Sequence, residues 1–172
     1  MEEKVLINRV AQSGIITINL ENYYPVAEFA DIDLKDYLWQ SLILREKEFR
    51  QALKETDWEQ YKGKIVIIYC STDAIIPLWA YMLIASSLEG IAQDLFCGSK
   101  VEYLKLHYRK VFDQLDLAPY KDQRIVIKGC GEKAIPPAVY ADVLTKLKPH
   151  AQSIMYGEPC STVPVFKRPR NV

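Results

Sequence analysis

The chain has 172 residues, of which 49% are hydrophobic and 26% are charged. This composition is ordinary for a globular protein and excludes a largely disordered one. The 22 basic residues balance 22 acidic ones, so no net field attracts nucleic acid or anionic lipid, and we expect neither as a partner. The length suits one domain, predicted to span residues 1–172.

The first sixty residues are predicted to form a β-hairpin followed by a long helix. Residues 4–10 and 14–20 are rich in apolar and β-branched side chains, and Gln12-Ser13-Gly14 separates them, as is typical of a hairpin. An acidic patch follows, made of Asp31, Asp33 and Asp36. Apolar residues then recur at helical spacing, at Leu38, Leu42, Phe49 and Leu53. We therefore expect one long amphipathic helix in this part of the chain.

Residues 61–168 are predicted to form a βαβ core on which the segment 1–60 packs, with 169–172 as a tail. The predicted strands are 64–70, 93–97, 124–129 and 153–157, and the predicted helices are 73–92, 100–117 and 137–150. Such alternation indicates a mostly parallel sheet in a three-layer α/β fold. The unbroken apolar run over residues 65–68 favours a central strand covered on both faces, and a short closing strand is expected at 163–166.

Three cysteines follow predicted strands, namely Cys70, Cys130 and Cys160, and a proline comes a few residues after each of them. Apart from this shared order of a cysteine and a later proline, no internal repeat is evident. Because the carboxyl ends of neighbouring parallel strands share one edge of a sheet, we expect the three thiols to face a common crevice.

Three converging thiolates repel one another unless a cation lies among them, so zinc or an iron–sulfur cluster is the predicted cofactor. Asp73 and Glu158 would flank the same crevice as supporting groups or as the fourth ligand, and Cys97, a water molecule or a substrate could also fill the fourth position. Asp73 also stands where an N-cap of the helix predicted at 73–92 is expected. Two alternatives remain open: buried thiols that bind nothing, or one activated cysteine in a redox or nucleophilic role.

Other motifs restrict the range of functions. No phosphate-binding loop or dinucleotide-binding glycine pattern is present in the sequence, so we expect no nucleotide cofactor. The chain begins without a secretory signal pattern, and its longest apolar stretch, residues 74–85, is interrupted by Pro77 and is too short for a membrane span. A cytoplasmic location is therefore expected, where cysteines stay reduced.

Several segments together resemble an uncharacterised bacterial family, the domain-of-unknown-function family 2480. These segments are residues 8–11, 42–47, 70–77, 79–83 and 153–164, and the most distinctive is Gly157-Glu-Pro-Cys-Ser-Thr-Val-Pro164. The resemblance covers nearly the whole chain. It implies thiols at Cys70, Cys130 and Cys160, a link to iron–sulfur cluster assembly proteins as partners, and iron rather than zinc at the site. Cys97 lies in a less distinctive part of the pattern and is not implied as a ligand.

The predicted function is an accessory role in cluster or metal handling. Its rival is a non-catalytic binding or scaffolding module whose cysteines are only core residues. Whether the protein is an enzyme is left open.

Overall fold

The computed structural model describes residues 14–128, 131–158 and 161–169. They fall into two compact units, which we name by sequence order. The inserted unit runs from Pro25 to Tyr103, and the flanking unit joins the chain before Pro25 to the chain after Tyr103. The predicted division at residue 60 differs from this one, while the prediction of a single domain stays a prediction.

Strands and helices alternate through the described residues, which confirms the predicted α/β class. In chain order the strands are β1 (Ile15–Asn19), β2 (Phe29–Asp33), β3 (Leu38–Trp39), β4 (Ile43–Leu44), β5 (Ile65–Tyr69), β6 (Asp94–Cys97), β7 (Arg124–Lys128), β8 (Ser153–Glu158) and β9 (Ser161–Lys167). The helices are α1 (Glu46–Glu55), α2 (Leu78–Leu88), α3 (Lys100–Asp113) and α4 (Pro137–Leu147). The four strands predicted between residues 64 and 157 are all present, and so are the three helices predicted after residue 73.

The sheet of the inserted unit has the order β2-β5-β6, and its strands are parallel. The central strand β5 is the apolar run 65–68, all four residues of which are buried, as predicted. One face of this sheet packs against α1 and α2, where Phe49 and Ile84 meet Val66 and Ile68 in a single apolar cluster. A small antiparallel hairpin, β3 with β4, completes the unit.

The sheet of the flanking unit has the order β1-β7-β8-β9. Its first three strands are parallel, and β9 closes the sheet antiparallel to β8. The predicted closing strand is therefore confirmed, although it is longer than expected. Of the predicted N-terminal hairpin, residues 4–10 lie outside the described residues. The second predicted strand is present as β1, and its described partner is β7.

The long helix predicted after the acidic patch is wrong. Residues 29–44 form β2, a single 3-10 turn at Leu34–Tyr37 and the hairpin β3–β4, and only Glu46–Glu55 is α-helical. Gln40 and Ser41 have φ values of 51° and 58°, which a right-handed helix cannot accommodate. Antiparallel pairing of β3 with β4 therefore prevailed over the helical spacing of the apolar residues.

The two units repeat one order of elements, although no internal repeat was expected from the sequence. The inserted unit contains β2, α1, β5, α2 and β6, and the flanking unit contains β1, most of α3, β7, α4 and β8. Among the parallel strands of each unit, the second in chain order is the central one, β5 in the inserted unit and β7 in the flanking unit. The inserted unit interrupts the flanking one between its first strand and its first helix.

Individual hydrogen bonds recur at positions 59 residues apart. The backbone N–H of Gly63 donates to the carbonyl of Ile91 at 3.0 Å, and that of Asp122 donates to the carbonyl of His150 at 2.9 Å. The buried faces of the second helices match at the same spacing, with Ala80, Ile84 and Leu88 in α2 and Val139, Val143 and Leu147 in α4. The chain is therefore built from two structural repeats, one inserted within the other.

Candidate functional site

Sulfur-containing or charged residues stand at the carboxyl ends of the parallel strands in both units. In the inserted unit, Cys70 follows β5 and Cys97 is the last residue of β6. In the flanking unit, Lys128 ends β7 and Glu158 ends β8. Open α/β proteins usually bind their ligands at this edge of the sheet, so each unit has one candidate edge.

Asp33, at the end of β2, anchors the turn that positions Cys70. Its Oδ1 accepts hydrogen bonds from the backbone N–H of Ser71 and from that of Lys35, both at 3.0 Å. The Cys70 thiol is half-buried and lies 3.2 Å from the Thr72 hydroxyl. The neighbouring strand β2 therefore fixes the backbone immediately after Cys70.

Asp33 stays ionised because its hydrogen bonds outweigh its burial. Burial by itself raises the pKa of this carboxyl group, but donors from Ser71 and Lys35 stabilise the carboxylate and lower the pKa from 3.8 to about 2. The Lys35 ammonium lies 3.3 Å from Oδ2 of Asp33. Asp33 was predicted only as part of an acidic patch, and the structure makes it a positioning residue for the candidate site.

A cleft of about 590 Å³ opens at the edge of the inserted unit. The ends of β5 and β6 form one wall, and the first turns of α2 form the other. Six of its residues are Ile68, Cys70, Leu78, Tyr81, Met82 and Cys97. The cleft is thus mostly apolar and aromatic, with two thiols at the strand ends, which is a common composition for a small-molecule site.

The two thiols share this cleft with the Tyr81 hydroxyl. Partial burial raises the pKa of the Cys97 thiol above its usual value, even though the residue as a whole remains open to solvent. Partial burial also raises the pKa of Tyr81, and negative charge on Cys70 or Cys97 acts in the same direction. Gly98, with φ of 140°, turns the chain sharply after Cys97, in a conformation that side chains rarely adopt.

Asp73 does not cap a helix, contrary to the prediction. Helix α2 begins at Leu78, and Pro77 occupies its N-cap position in an extended conformation. Proline also disfavours helical backbone in the residue before it, so the helix cannot extend back to Asp73. Asp73 is exposed in the loop that follows Cys70.

Glu158 lies at the edge of the flanking unit beside Lys128, and the Lys128 Nζ is 3.7 Å from its Oε1. The side chains of both residues are about one-third exposed, at 33% and 37%. Because β7 and β8 are paired neighbours, this ion pair spans the ends of two adjacent parallel strands. The carboxylate is therefore partly neutralised within its own unit.

Cys130 and Cys160 lie outside the described residues, so the convergence of three thiols stays a prediction. Within residues 14–128, 131–158 and 161–169, no three His, Cys, Asp or Glu side chains form a group that could hold a metal ion. The sulfur-bearing residues that the described structure does bring to one cleft are Cys70, Cys97 and Met82.

The flanking unit has a smaller and more polar cavity, of about 220 Å³, at its own candidate edge. Glu21, Lys128, Lys133 and Tyr140 contribute to its lining. The Glu21 carboxylate accepts a hydrogen bond from the backbone N–H of Lys133 at 2.6 Å. Tyr140 lies 59 positions after Tyr81, so the two repeats keep a tyrosine at equivalent places beside cavities of different polarity.

The strand-end rule that selected Cys70 applied equally to Cys97, the last residue of the predicted strand 93–97. Cys97 was accordingly one of the candidates for the fourth ligand, although the family resemblance does not imply it. Tyr81 and Met82 were not predicted, because nothing in the sequence shows which face of α2 adjoins the strand ends. No helix within the described residues combines the length and the apolar character needed to cross a membrane.

The fold and its edges define an α/β protein made of two repeats with parallel sheets, each with a cavity at the carboxyl ends of its strands. The chain belongs to the family described as "Protein of unknown function (DUF2480)", whose profile matches residues 4–168. This confirms the family predicted from the sequence. No curated protein and no solved structure matches the chain.

Proposed function

We propose that the protein binds an iron–sulfur cluster or a metal ion such as zinc through Cys70, Cys130 and Cys160, in an accessory role in cluster or metal handling. The supporting observation is the position of the preceding strands. Cys70 directly follows β5, and Cys130 and Cys160 come two residues after the last residues of β7 and β8. All three strands are parallel members of their sheets, but β5 belongs to the sheet β2-β5-β6, whereas β7 and β8 belong to the sheet β1-β7-β8-β9.

The acidic groups fit a supporting role in this proposal. Glu158 ends the strand that precedes Cys160, and Asp73 is exposed three residues after Cys70. A carboxylate in either place could complete a coordination shell that three thiolates leave open. The proposal locates the protein in the cytoplasm with iron–sulfur assembly proteins as its partners, because an exposed cluster needs a reducing compartment and a donor or acceptor.

The metal content of protein purified without oxygen tests this proposal. We expect iron or zinc in near-stoichiometric amount, and a visible thiolate-to-iron absorption band if the occupant is a cluster. Replacing Cys70, Cys130 and Cys160 together by serine should remove the metal, while Cys97→Ser serves as the matched control and should retain it. Iron and zinc that are far below stoichiometric, or unchanged in the triple variant, would overturn the proposal.

A binding module without chemistry is the second candidate, and the apolar surface around the cleft of the inserted unit favours it. Ile75, Leu78 and Met82 are 92%, 80% and 71% exposed. Leu78 and Met82 are one helical turn apart and both line the cleft, and exposed apolar residues that lie together often mark binding sites.

This second candidate is tested with an environment-sensitive apolar dye. We expect its fluorescence to fall when Leu78 is changed to serine and to be unaffected by Val163→Ser, a matched change at an exposed valine of β9. Equal fluorescence of the two variants would count against a binding surface at the cleft.

A further inference from the structure

We infer that Cys70, Cys97 and Met82 form a binding site for a soft monovalent metal ion of the copper(I) class within the inserted unit. This site goes beyond the three-cysteine proposal and does not depend on it. The two proposals share only Cys70, so Cys97 and Met82 distinguish them.

Strand register places both thiols on one face of the sheet. Cys97 of β6 pairs with Ile68 of β5 in parallel register. Side chains alternate along a strand, so Ile68 and Cys70, two positions apart, belong to the same face, and paired residues of adjacent strands also share a face. Both cysteines line the same cleft, which agrees with this register.

Met82 adds a thioether from the opposite wall. Leu78, Tyr81 and Met82 stand at helical positions i, i+3 and i+4 in the first turns of α2, and all three line the cleft. Met82 is 71% exposed, so its flexible side chain is not committed to the core. Two thiols and one thioether thus line one cleft.

The donor chemistry selects the ion. Thiolate and thioether ligands favour copper(I), whereas hard cations require oxygen ligands. Zinc sites normally use four ligands from Cys, His, Asp or Glu, and the described residues bring no three of these together. A copper(I) ion, in contrast, is satisfied by two or three sulfur donors in an apolar setting.

The spacing of the two cysteines favours a bridging ion over a disulfide. Regular strand geometry, with about 3.3 Å per residue along the strand and about 4.8 Å between strands, puts the two Cα atoms about 8 Å apart. A disulfide requires Cα atoms closer than about 7 Å. Two sulfur atoms that each lie about 2.3 Å from one metal ion can be up to about 4.6 Å apart, which suits the wider spacing.

The test is an anaerobic titration of the full chain with copper(I) in competition with a chromogenic copper(I) chelator. We expect one equivalent to bind. Cys97→Ser should weaken binding by about 100-fold and Met82→Leu by about tenfold, because each removes one sulfur donor. Met155→Leu, at a methionine of β8 that does not line the cleft, is the matched control and should change the affinity less than about twofold.

X-ray absorption of the copper-loaded wild-type protein supplies a measurement that needs no variant. Two or three sulfur neighbours at about 2.3 Å are expected, and only nitrogen or oxygen neighbours would overturn the inference. The inference would also fail if the wild type did not compete with the chelator, or if Cys97→Ser bound copper(I) as tightly as the wild type. Formation of a Cys70–Cys97 disulfide when the reduced, metal-free protein is exposed to air would overturn it as well. If Cys130→Ser loses iron or zinc but still binds copper(I), the two sites are separate, and the inference is supported.

Discussion

Asp33 shows how one side chain can decide the geometry of a site. Its carboxylate joins the end of β2 to the backbone of Ser71, directly after Cys70. A short polar side chain at a strand end often serves as a cap or turn residue, and Asp33 does so by accepting from Lys35. The additional bond to Ser71 connects positions 38 residues apart and is therefore a tertiary feature.

The charge of Asp33 should contribute to stability in a defined pH range. Its pKa is about 2 in the folded protein and 3.8 ordinarily, so the contribution is fully present above pH 3.8 and is lost as the pH falls through 2. Asp33→Asn removes the charge but keeps the acceptor oxygen. We expect a loss of about 1 kcal/mol in the free energy of unfolding at pH 7, less than the pKa difference alone implies, because solvent screens the half-exposed Lys35.

Urea unfolding at several pH values measures this effect. The difference between the wild type and Asp33→Asn should shrink between pH 4 and pH 2. Asp31→Asn, at an exposed carboxylate of the same strand, is the control and should have little effect at any pH. A constant difference down to pH 2 would contradict the assignment.

Tyr108 makes a buried hydrogen bond that a phenylalanine would lose. Its hydroxyl donates to the carbonyl of Leu20 at 2.9 Å, and both residues are fully buried. Burial raises the pKa of Tyr108, so the hydroxyl stays protonated as the donor. Tyr108→Phe leaves the carbonyl without this partner, and we expect a cost of about 1 to 3 kcal/mol in unfolding free energy.

Tyr103→Phe provides a matched comparison on the same helix. The Tyr103 hydroxyl donates to Asp94, an exposed residue whose carboxylate water can solvate after the change. We therefore expect a cost of less than about 1 kcal/mol for this variant. Denaturant titrations that rank Tyr103→Phe as the more damaging change would refute the argument from burial.

At the scale of elements, the four strands between residues 64 and 157 were predicted well, and the helix after the acidic patch was not. The run 65–68 is apolar at every position, a pattern that only a strand covered on both faces explains easily. Helical spacing also relates four apolar residues before and within α1, but only Phe49 and Leu53 lie on that helix, and Leu38 and Leu42 do not. Spacing by itself cannot show that Leu42 is 66% exposed at a hairpin.

The turn between β3 and β4 should be strained, so a substitution that relieves the strain should stabilise the protein. Ser41 has a φ of 58°, where a residue with a Cβ pays about 1 kcal/mol relative to glycine. Ser41→Gly should raise the free energy of unfolding by up to about 1 kcal/mol, as judged by the urea midpoint. Ser86→Gly makes the same chemical change on the exposed side of α2 and should instead destabilise, by about 0.5 to 1 kcal/mol. If both variants changed the free energy of unfolding in the same direction, the positive φ of Ser41 would not be a source of strain.

The structural repeat was not evident from the sequence, because equivalent positions in the two repeats have the same structural role but different amino acids. Gly63 and Asp122 both adopt positive φ, and Ala80 and Val139 both fill the buried face of a helix. Most of the correspondence lies at a spacing of 59 residues, but β1 precedes β2 by only 14. One fixed period therefore never aligns the two repeats completely.

At the scale of the molecule, the four cysteines divide into two pairs, according to the unit whose parallel strands they end or follow in the sequence. In the inserted unit Cys70 directly follows β5 and Cys97 ends β6, whereas Cys130 and Cys160 follow β7 and β8 of the flanking unit in sequence. The strand-end prediction was therefore correct for the described cysteine Cys70, and the same rule extends to Cys97. Which thiols share a ligand is the question that the two metal experiments answer.

The inserted unit should fold when it is produced alone. Its apolar cluster, from Ile32 to Leu95, lies wholly within residues 25–103, and so does its complete parallel sheet. We expect cooperative urea unfolding and helical circular dichroism for this segment, because a domain with its own core can fold independently.

The segment 61–168, which the sequence alone suggested as the core, is the control. It lacks β1 and β2, so the central strands β5 and β7 each lose a paired neighbour. Cooperative unfolding of residues 61–168 together with a disordered segment 25–103 would contradict the division into these units.

The sequence by itself determined the α/β class, the family, the strands from β5 to β8 and the cysteines that follow parallel strands, because these depend on local runs of apolar residues and on short distinctive segments. Only the tertiary structure decided which strands pair. Ile15 lies beside Arg124 and Phe29 beside Ile65, at separations of 109 and 36 residues. Such pairings are set by the burial of whole faces, which no local pattern encodes, and they also decide which thiols and which face of α2 meet in one cleft.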